Sequence, residues 1–282
     1  MAVRAEDVKK LREKTGAGMM DCKKALTEAD GDFAGAEKIL KELGLAAAAK
    51  RVGRATNEGR VFTHVGAARA AIVELSCETD FVARNENFVK LGNELAADAA
   101  ERGLNAPDES MESRVQEAIS TIKENMAVRR VESIALDDSS LAVDYIHGDG
   151  GTIGVVVVVT IDPSDLKQND EVKQFAFDCA LHVAAFSPSF LSQDTVPKEY
   201  LEEQEAVFRV QAENMGKPEK VLQGIIQGKM KKHLGEICLL EQPFVKDDKR
   251  SVAQVAAELG KEVGGKIEIS DYRYFRVGQE TD

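Results

Sequence analysis

The stretch VFTHVGAARAAIVELSCETDFVARNENF, residues 61–88, contains the change of pattern that decides the fold. Two apolar runs over residues 61–65 and 70–75 flank Gly66, which is the arrangement expected for a β-hairpin. From Asn85 onward, apolar residues recur at helical spacing, with Phe88 as the first of them. The stretch therefore predicts strand, turn, strand and helix, a unit of an α+β fold with antiparallel strands.

A similar order recurs later in the chain. Residues 143–147 and 153–161 flank a glycine-rich turn, and a helical pattern follows over residues 170–186. Two strands around a short turn, followed by a helix, again predict an antiparallel pair covered on one face.

The spacing of the two units is nearly constant. His64 and His147 are 83 positions apart, and Phe88 and Val172 are 84 positions apart. A constant offset predicts two related α+β subdomains, whereas chance recurrence of a common motif is the alternative.

The first 55 residues predict a three-helix module. Helices are expected over residues 5–14 and 19–28, and Asp32 is a suitable N-cap for a third. The apolar stripe of this third helix consists of Phe33, Ala36, Leu40 and Leu43. Gly44 fits the position just after the helix end. Residues 45–58, alanine-rich and then basic, predict a linker that is either helical or extended.

Residues 198–234 change pattern again. Apolar residues at helical spacing before and after Gly216 and Pro218 predict two helices joined by a tight turn. This antiparallel helical hairpin, a coiled coil at about residues 190–234, is expected as an insertion in the second subdomain. A strand over 237–240, a helix over 251–259 and a strand over 266–277 complete the expected order.

These patterns together predict an organisation of the whole chain. The three-helix domain and its linker occupy residues 1–55, and core subdomain N occupies residues 56–140. Core subdomain C occupies residues 141–282 and contains the inserted hairpin.

Composition excludes several functional classes. The chain has 282 residues, with 37 Lys and Arg against 49 Asp and Glu, a formal charge of −12. A negative net charge argues against binding of the nucleic-acid backbone over a broad surface. No apolar run approaches membrane-spanning length, and the N-terminus lacks the apolar region of a secretory signal. Four cysteines without a CxxC motif predict a reducing compartment, the cytoplasm.

Catalytic and cofactor motifs are missing from the sequence. The four histidines form no metal-binding pair, and neither a phosphate-binding loop nor a nucleophile elbow is present. We therefore expect no metal, no cofactor and no enzymatic chemistry, and an interaction protein is favoured over an enzyme.

One predicted loop carries an unexpected aromatic residue. Phe81 and Val82 lie in the middle of residues 77–85, where polar residues are the norm. One interpretation places Phe81 beneath the loop as a staple for the following helix, and composition alone favours it. The other makes Phe81 an exposed anchor that inserts into a partner.

Several longer segments resemble a known family. In order along the chain they are TGAGMMDCKKAL at 15–26, TDFVA at 79–83, RRV at 129–131, HG at 147–148, HVAA at 182–185, GKMKK at 228–232 and QPFV at 242–245. In sequence and order they are similar to bacterial elongation factor Ts. The resemblance implies a ubiquitin-associated-like N-terminal domain before the two subdomains and the coiled coil. It also implies a guanine-nucleotide exchange factor without catalytic chemistry of its own.

The partner implied by the resemblance is the translational GTPase elongation factor Tu, in its GDP-bound and nucleotide-free forms. The factor would promote GDP release and dissociate when GTP binds. A homodimer or a 2:2 complex is left open. The competing hypothesis is a non-exchanging adaptor that binds protein through the three-helix domain.

The resemblance also assigns site residues. Phe81 would wedge between partner helices, and Asp80, with Thr79 and Val82, would help to displace Mg²⁺ from the partner. The N-terminal docking surface would comprise Val8, Leu11, Arg12, Met19, Met20 and Lys23. Met126 matches an apolar contact, although from the residues alone it would end the core face of a helix over 108–126. His147 matches a contact of the second subdomain with the partner's phosphate side or third domain.

Overall fold

A computed structural model describes residues 3–51, 53–213 and 219–279. The chain begins with the helices α1 (Ala5–Thr15), α2 (Met19–Glu28) and α3 (Phe33–Ala49). Two small antiparallel sheets with covering helices follow, and a helical hairpin lies within the second half. The α+β class and the three N-terminal helices are therefore confirmed.

The three-helix module is held by one apolar cluster, which includes Leu11, Cys22 and Leu26. α1 ends where Gly16 adopts a positive φ of 67° and donates its N–H back to Arg12. The Asp32 carboxylate accepts the Gly35 N–H at 2.8 Å, so the predicted N-cap of α3 is present.

The first sheet has the order β1 (Glu58–Val65), β2 (Arg69–Cys77), β3 (Met126–Ala135). All neighbours are antiparallel, and β1 and β2 form the predicted hairpin. Covering one face are α5 (Glu86–Arg102) and α6 (Glu109–Ile122). Phe62, Val73 and Leu75 point into this layer and pack with Phe88 and Leu95.

The second sheet repeats the arrangement. Its order is β4 (Ser140–His147), β5 (Ile153–Asp162), β8 (Lys266–Arg276). It is covered by α7 (Asp170–Phe186) and α10 (Val252–Val263). Each central strand has one irregularity in register, at Glu74/Leu75 and at Val158/Val159, and these are 84 positions apart. The sequence offset thus recurs in the backbone geometry.

The two sheets pack against each other on their uncovered faces. Val61 and Ile72 of the first sheet meet Val156, Val158 and Phe275 of the second in a third apolar cluster. Alternate residues of β5 therefore enter different cores, which explains why its apolar run is continuous rather than alternating. The result is four layers, with helices outside and sheets inside.

The hairpin consists of α8 (Lys198–Glu213) and α9 (Glu219–Ile237), which pack together through Ala212, Leu222 and Ile226. The predicted turn at residues 216–218 lies outside the described residues. After α9 the chain forms a short 3₁₀ turn, Leu239–Glu241, and then the small hairpin β6 (Pro243–Phe244) and β7 (Asp247–Ser251). The strand predicted over 237–240 is wrong, because Cys238 makes only an isolated bridge to Phe190.

Two predictions for α3 are wrong. The helix does not end at Gly44 but continues to Ala49, because α3 packs on α6. A Cβ atom at Gly44 would lie 2.6 Å from the Cβ of Ser120, so this glycine allows close helix contact. Leu43 is exposed instead of completing the apolar stripe.

Within the described ranges, no helix is both long and apolar enough to cross a membrane. Cys22, Cys77, Cys179 and Cys238 are all buried free thiols.

Candidate partner-binding surface

Phe81 lies on a one-turn helix, α4 (Asp80–Ala83), between β2 and α5. It is 82% exposed, more than any other large apolar side chain of the described residues. The interpretation of Phe81 as a buried staple is therefore wrong. An aromatic ring presented to solvent in this way offers a large, rigid apolar surface for contact.

The turn that presents Phe81 is fixed from beneath. Ala83 is buried and Val82 is half-buried, and both pack on the core between the first sheet and its helices. The Thr79 hydroxyl caps α4 by accepting the Val82 N–H at 3.4 Å. Asn85 then caps α5 by accepting the Asn87 N–H at 2.9 Å. The exposed ring is thus carried on a rigid support.

Two acidic side chains fasten this turn to the segment between α6 and β3. Glu124 accepts the backbone N–H of Thr79 at 3.0 Å and its hydroxyl at 2.8 Å. Glu78 in return accepts the Asn125 N–H at 2.6 Å and forms an ion pair with Arg54 at 3.4 Å. The Asn125 side chain donates to the Arg54 carbonyl at 2.8 Å.

The polar groups around Phe81 include an exposed ion pair and a buried thiol. Asp80 is exposed, and its carboxylate lies 3.7 Å from the guanidinium of Arg84. Burial, together with the Glu124 carboxylate, raises the pKa of the Cys77 thiol to about 12. Cys77 donates to the Thr79 carbonyl at 3.1 Å, so it acts as a structural group and not as a nucleophile.

His147 is exposed at the end of β4. Its Nδ1 lies 3.0 Å from the hydroxyl of Tyr145, two residues earlier on the same face of the strand. The sequence predicts His147 at the end of a strand, and the structure confirms that position and adds the contact with Tyr145.

The residues assigned to the N-terminal surface divide into two groups. Arg12, Met20 and Lys23 are exposed, as is Met19, and Met20 is 65% exposed. Val8 and Leu11 are buried in the helical core, so their assignment as direct contacts is corrected. Both belong to the apolar cluster that holds the three helices together.

Met126 also requires correction. It is 3% exposed and is the first residue of β3, not the last of a helix. α6 already ends at Ile122, where Lys123 takes a positive φ of 72°. The Met126 side chain packs into the first core and is closed to a partner.

Sequence reasoning missed the residues that hold the turn in place: Glu78, Glu124 and Asn125. Their only local signal is polarity next to a predicted strand or helix, and their role depends on contacts between distant segments. In the part of the chain that the structure describes, no group of three or more His, Cys, Asp or Glu is placed to hold a metal ion.

Comparison with known proteins gives a consistent result over the whole chain. The family model described as "Elongation factor TS" matches residues 78–279. Elongation factor Ts of Borrelia recurrentis is 48% identical over 278 residues, covering 99% of this chain and 100% of that protein. Elongation factor Ts of Treponema denticola is 42% identical over 278 residues, covering 99% of each. The chain therefore belongs to the elongation factor Ts family.

Proposed function

We propose that this chain is a guanine-nucleotide exchange factor for elongation factor Tu. It binds the GDP-bound GTPase, promotes GDP release and leaves when GTP binds. The observation that carries this proposal is the exposed Phe81 on a braced one-turn helix. Family membership supports the role in translation elongation, and with it a cytoplasmic location.

An exchange factor works by differential affinity and needs no catalytic base. A GTPase holds its nucleotide through a backbone cradle and a Mg²⁺ ion that bridges phosphate oxygens. A protein that binds the nucleotide-free GTPase more tightly than the loaded one lowers nucleotide affinity by the same factor. The exposed residues of this chain need only stabilise the open form of the partner.

Phe81 suits this task because its ring brings large apolar area at the cost of ordering two side-chain torsions. We assign it the role of a wedge between two helices of the GTPase. Asp80, beside it, would act on the Mg²⁺ side of the nucleotide site, with Thr79 and Val82 shaping the turn. Thr79 and Val82 serve chiefly as support, since Val82 packs on the core and the Thr79 hydroxyl is bonded to Glu124 and to the Val82 N–H.

The test is release of a fluorescent GDP analogue from elongation factor Tu, with unlabelled GDP in excess. We expect a large acceleration when the chain is present in substoichiometric amounts, because an exchange factor is released and acts again. No acceleration at micromolar concentrations would refute the proposal.

The adaptor hypothesis keeps one supporting observation, the exposed Met19 and Met20 on the three-helix module. An adaptor would bind its partner without changing the rate at which GDP dissociates. Tight binding with an unchanged dissociation rate would therefore select it. The stoichiometry, including a homodimer or a 2:2 complex, is measured in the same samples by light scattering.

A further inference from the structure

The three-helix module lies close against α6 of the core. Two glycines of the module contact neighbouring residues of that helix: Gly44 of α3 meets Ser120, and Gly16, between α1 and α2, meets Thr121. A Cβ atom added at Gly44 would be 2.6 Å from the Cβ of Ser120, and one added at Gly16 would be 2.9 Å from Cγ2 of Thr121. Cβ atoms do not pack so closely, so both contacts require a residue without a side chain on the module.

The α6 side of the contact is small and already hydrogen-bonded. The Ser120 hydroxyl donates to the Glu117 carbonyl at 2.6 Å, so it requires no partner on the module. Three positions before Gly44 and Ser120, Lys41 and Glu117 form an ion pair at 2.6 Å. Both of these side chains are more than half exposed, so the ion pair adds little to the docking of the module. The close packing at the glycines is therefore the feature that determines docking.

The end of α6 also holds the Phe81 turn. Glu124, four positions after Ser120, accepts two hydrogen bonds from Thr79. The segment that follows α3 is bonded at the same place, because the side chain of the residue after Glu124 donates to the Arg54 carbonyl at 2.8 Å. The module and the turn are thus attached to neighbouring points of one support.

This arrangement fixes the relation between two exposed surfaces. Met20 and Lys23 lie on α2 of the module, and Phe81 lies on α4 of the core. A module that moved freely on its linker would have to be ordered when a partner bound both surfaces, and that ordering would lower the affinity. A docked module avoids this loss.

We propose that docking of the module on α6 through Gly44 and Ser120 joins the α2 surface and the Phe81 turn into one preorganised interface for the GTPase. This rests on the proposed function. Gly44 and Ser120 are positioning residues, because they act through the placement of the exposed side chains on α2. Loss of docking raises the concentration of chain needed for exchange but leaves the maximal rate unchanged, since Phe81 and its support are untouched.

Exchanging the two residues tests the contact. Gly44→Ser places a second side chain against Ser120, and we expect the Kd for nucleotide-free elongation factor Tu, measured by calorimetry, to rise about tenfold, as for typical coupling between sites. Adding Ser120→Gly restores one glycine and one side chain at the contact and should return Kd to within about threefold of the original. Gly224→Ser is the matched control, because an added Cβ on this α9 glycine meets no described atom within 4 Å.

The kinetics of GDP release separate positioning from a general structural loss. Gly44→Ser should raise the KM for exchange by about tenfold at unchanged kcat, because the substitution removes binding that is uniform through the reaction. Damage to the core that carries Phe81 would instead lower kcat. The double variant should recover the original KM together with its Kd.

A cross-link tests the docked position without a weakened contact. Gly44→Cys with Ser120→Cys places two thiols at the contact, and a disulfide needs a Cβ–Cβ separation of roughly 3.5–4.5 Å, about an ångström more than the contact provides. The four native thiols are buried and do not compete. Gly44→Cys with Ser113→Cys is the control pair, since Ser113 is exposed and lies roughly 10 Å back along α6. Without the GTPase, only the first pair should close under mild oxidation, and the oxidised chain should bind within threefold of the original Kd.

The outcomes separate this proposal from the proposed function. The cross-link is formed in the absence of the GTPase, so a first pair that stays open refutes docking whatever the exchange assay gives. If the chain binds the GTPase without accelerating GDP release, the exchange function fails, and the Kd ratios still decide the docking. Absence of any binding refutes both proposals.

Two further results would overturn the docking proposal. One is a Gly44→Ser variant that keeps its melting temperature and binds within twofold of the original Kd. The other is an oxidised cross-linked chain that binds more than threefold more weakly, because the docked position would then differ from the bound one. Should Gly44→Ser fail to fold, the cross-linked chain decides by its own limit.

Discussion

Thr79 and Glu124 are joined by two hydrogen bonds across 45 positions of sequence. One carboxylate accepts the backbone N–H at 3.0 Å and the hydroxyl at 2.8 Å, and the same hydroxyl accepts the Val82 N–H. Because the hydroxyl donates to Glu124, its lone pair is directed at the first turn of α4. Glu124 thereby sets the orientation of the helix that carries Phe81.

Replacing Glu124 is expected both to slow exchange and to weaken the fold. Glu124→Ala removes both bonds to Thr79 and frees the Phe81 turn, so we expect GDP release to slow by roughly tenfold, while the free energy of unfolding falls by about 1–3 kcal/mol. Stopped-flow release and urea denaturation measure the two effects. Glu101→Ala, an exposed carboxylate on α5, is the control. Equal exchange rates for the two variants would contradict the role given to Glu124.

Phe81 and Phe88 provide a matched pair of aromatic truncations seven positions apart. Phe81 is 82% exposed and Phe88 is fully buried. Phe81→Ala should leave the free energy of unfolding within about 0.5 kcal/mol but slow GDP release strongly. Phe88→Ala should cost about 3–5 kcal/mol of stability by leaving a cavity. Thermal melts and GDP-release rates, measured on both variants, separate the effect on stability from the effect on exchange. A large stability loss in Phe81→Ala would mean that the ring packs in solution.

Local patterns were sufficient for much of the fold. The first hairpin follows from the two apolar runs around Gly66, and α7 spans the residues predicted for it, because both signals arise within a few neighbouring residues. The helix end predicted at Gly44 is wrong because a glycine after a helix and a glycine at a close helix contact look alike in sequence. Only the position of Ser120 on α6 distinguishes them.

The candidate site was less predictable for a related reason. The sequence identified Phe81 but left its burial open, since exposure depends on what packs around α4. The hydrogen bonds to Glu124 and Glu78 connect segments about 45 residues apart, so they produce no periodic pattern in the sequence. Met126 was assigned to a helix because nothing local marks the end of α6. Lys123 ends it in a left-handed conformation that lysine rarely adopts.

His182 joins two of the sequence motifs that no functional role explains. It is fully buried, and its Nδ1 accepts the Val245 N–H at 3.1 Å. Nε2 therefore carries the proton and donates to Oε1 of Gln242 at 2.8 Å. Gln242 in turn donates to the carbonyl of Glu236 at the end of α9. The neutral imidazole thus fixes the base of the helical hairpin.

This arrangement predicts a dependence of stability on pH. Burial lowers the pKa of His182 below the ordinary value of 6.5, so the unfolded chain binds the proton more readily than the folded one. The stability contributed by the neutral His182 side chain is complete above pH 6.5. It is lost as the pH falls toward the lowered pKa, by at most about 1.4 kcal/mol per pH unit.

Calorimetric melting temperatures from pH 7.5 to 5 measure this loss. His182→Gln should be less stable at neutral pH but show a shallower decline, while His64→Gln, at an exposed position, should keep the slope of the unmodified chain. An unchanged slope in His182→Gln would assign the pH dependence to other groups.

In the N-terminal module, some side chains form the exposed surface and others support it from the core. Lys23 and Met20 are exposed on α2, whereas Leu11 of α1 is fully buried in the apolar cluster of the module. Lys23→Ala and Met20→Ala should each change the free energy of unfolding by less than about 0.5 kcal/mol, because surface truncations leave packing intact. Each should nevertheless weaken binding to nucleotide-free elongation factor Tu, by roughly threefold to tenfold.

Leu11→Ala should instead cost about 2–5 kcal/mol and reduce the helical circular-dichroism signal, since it leaves a cavity among three short helices. Leu43→Ala is the control for loss of exposed apolar surface, because Leu43 is 54% exposed on α3. Calorimetric titration of all four variants gives the comparison. If Met20→Ala and Leu43→Ala bind as tightly as the unmodified chain and only Leu11→Ala weakens binding, the module acts through its fold and not through a contact at α2.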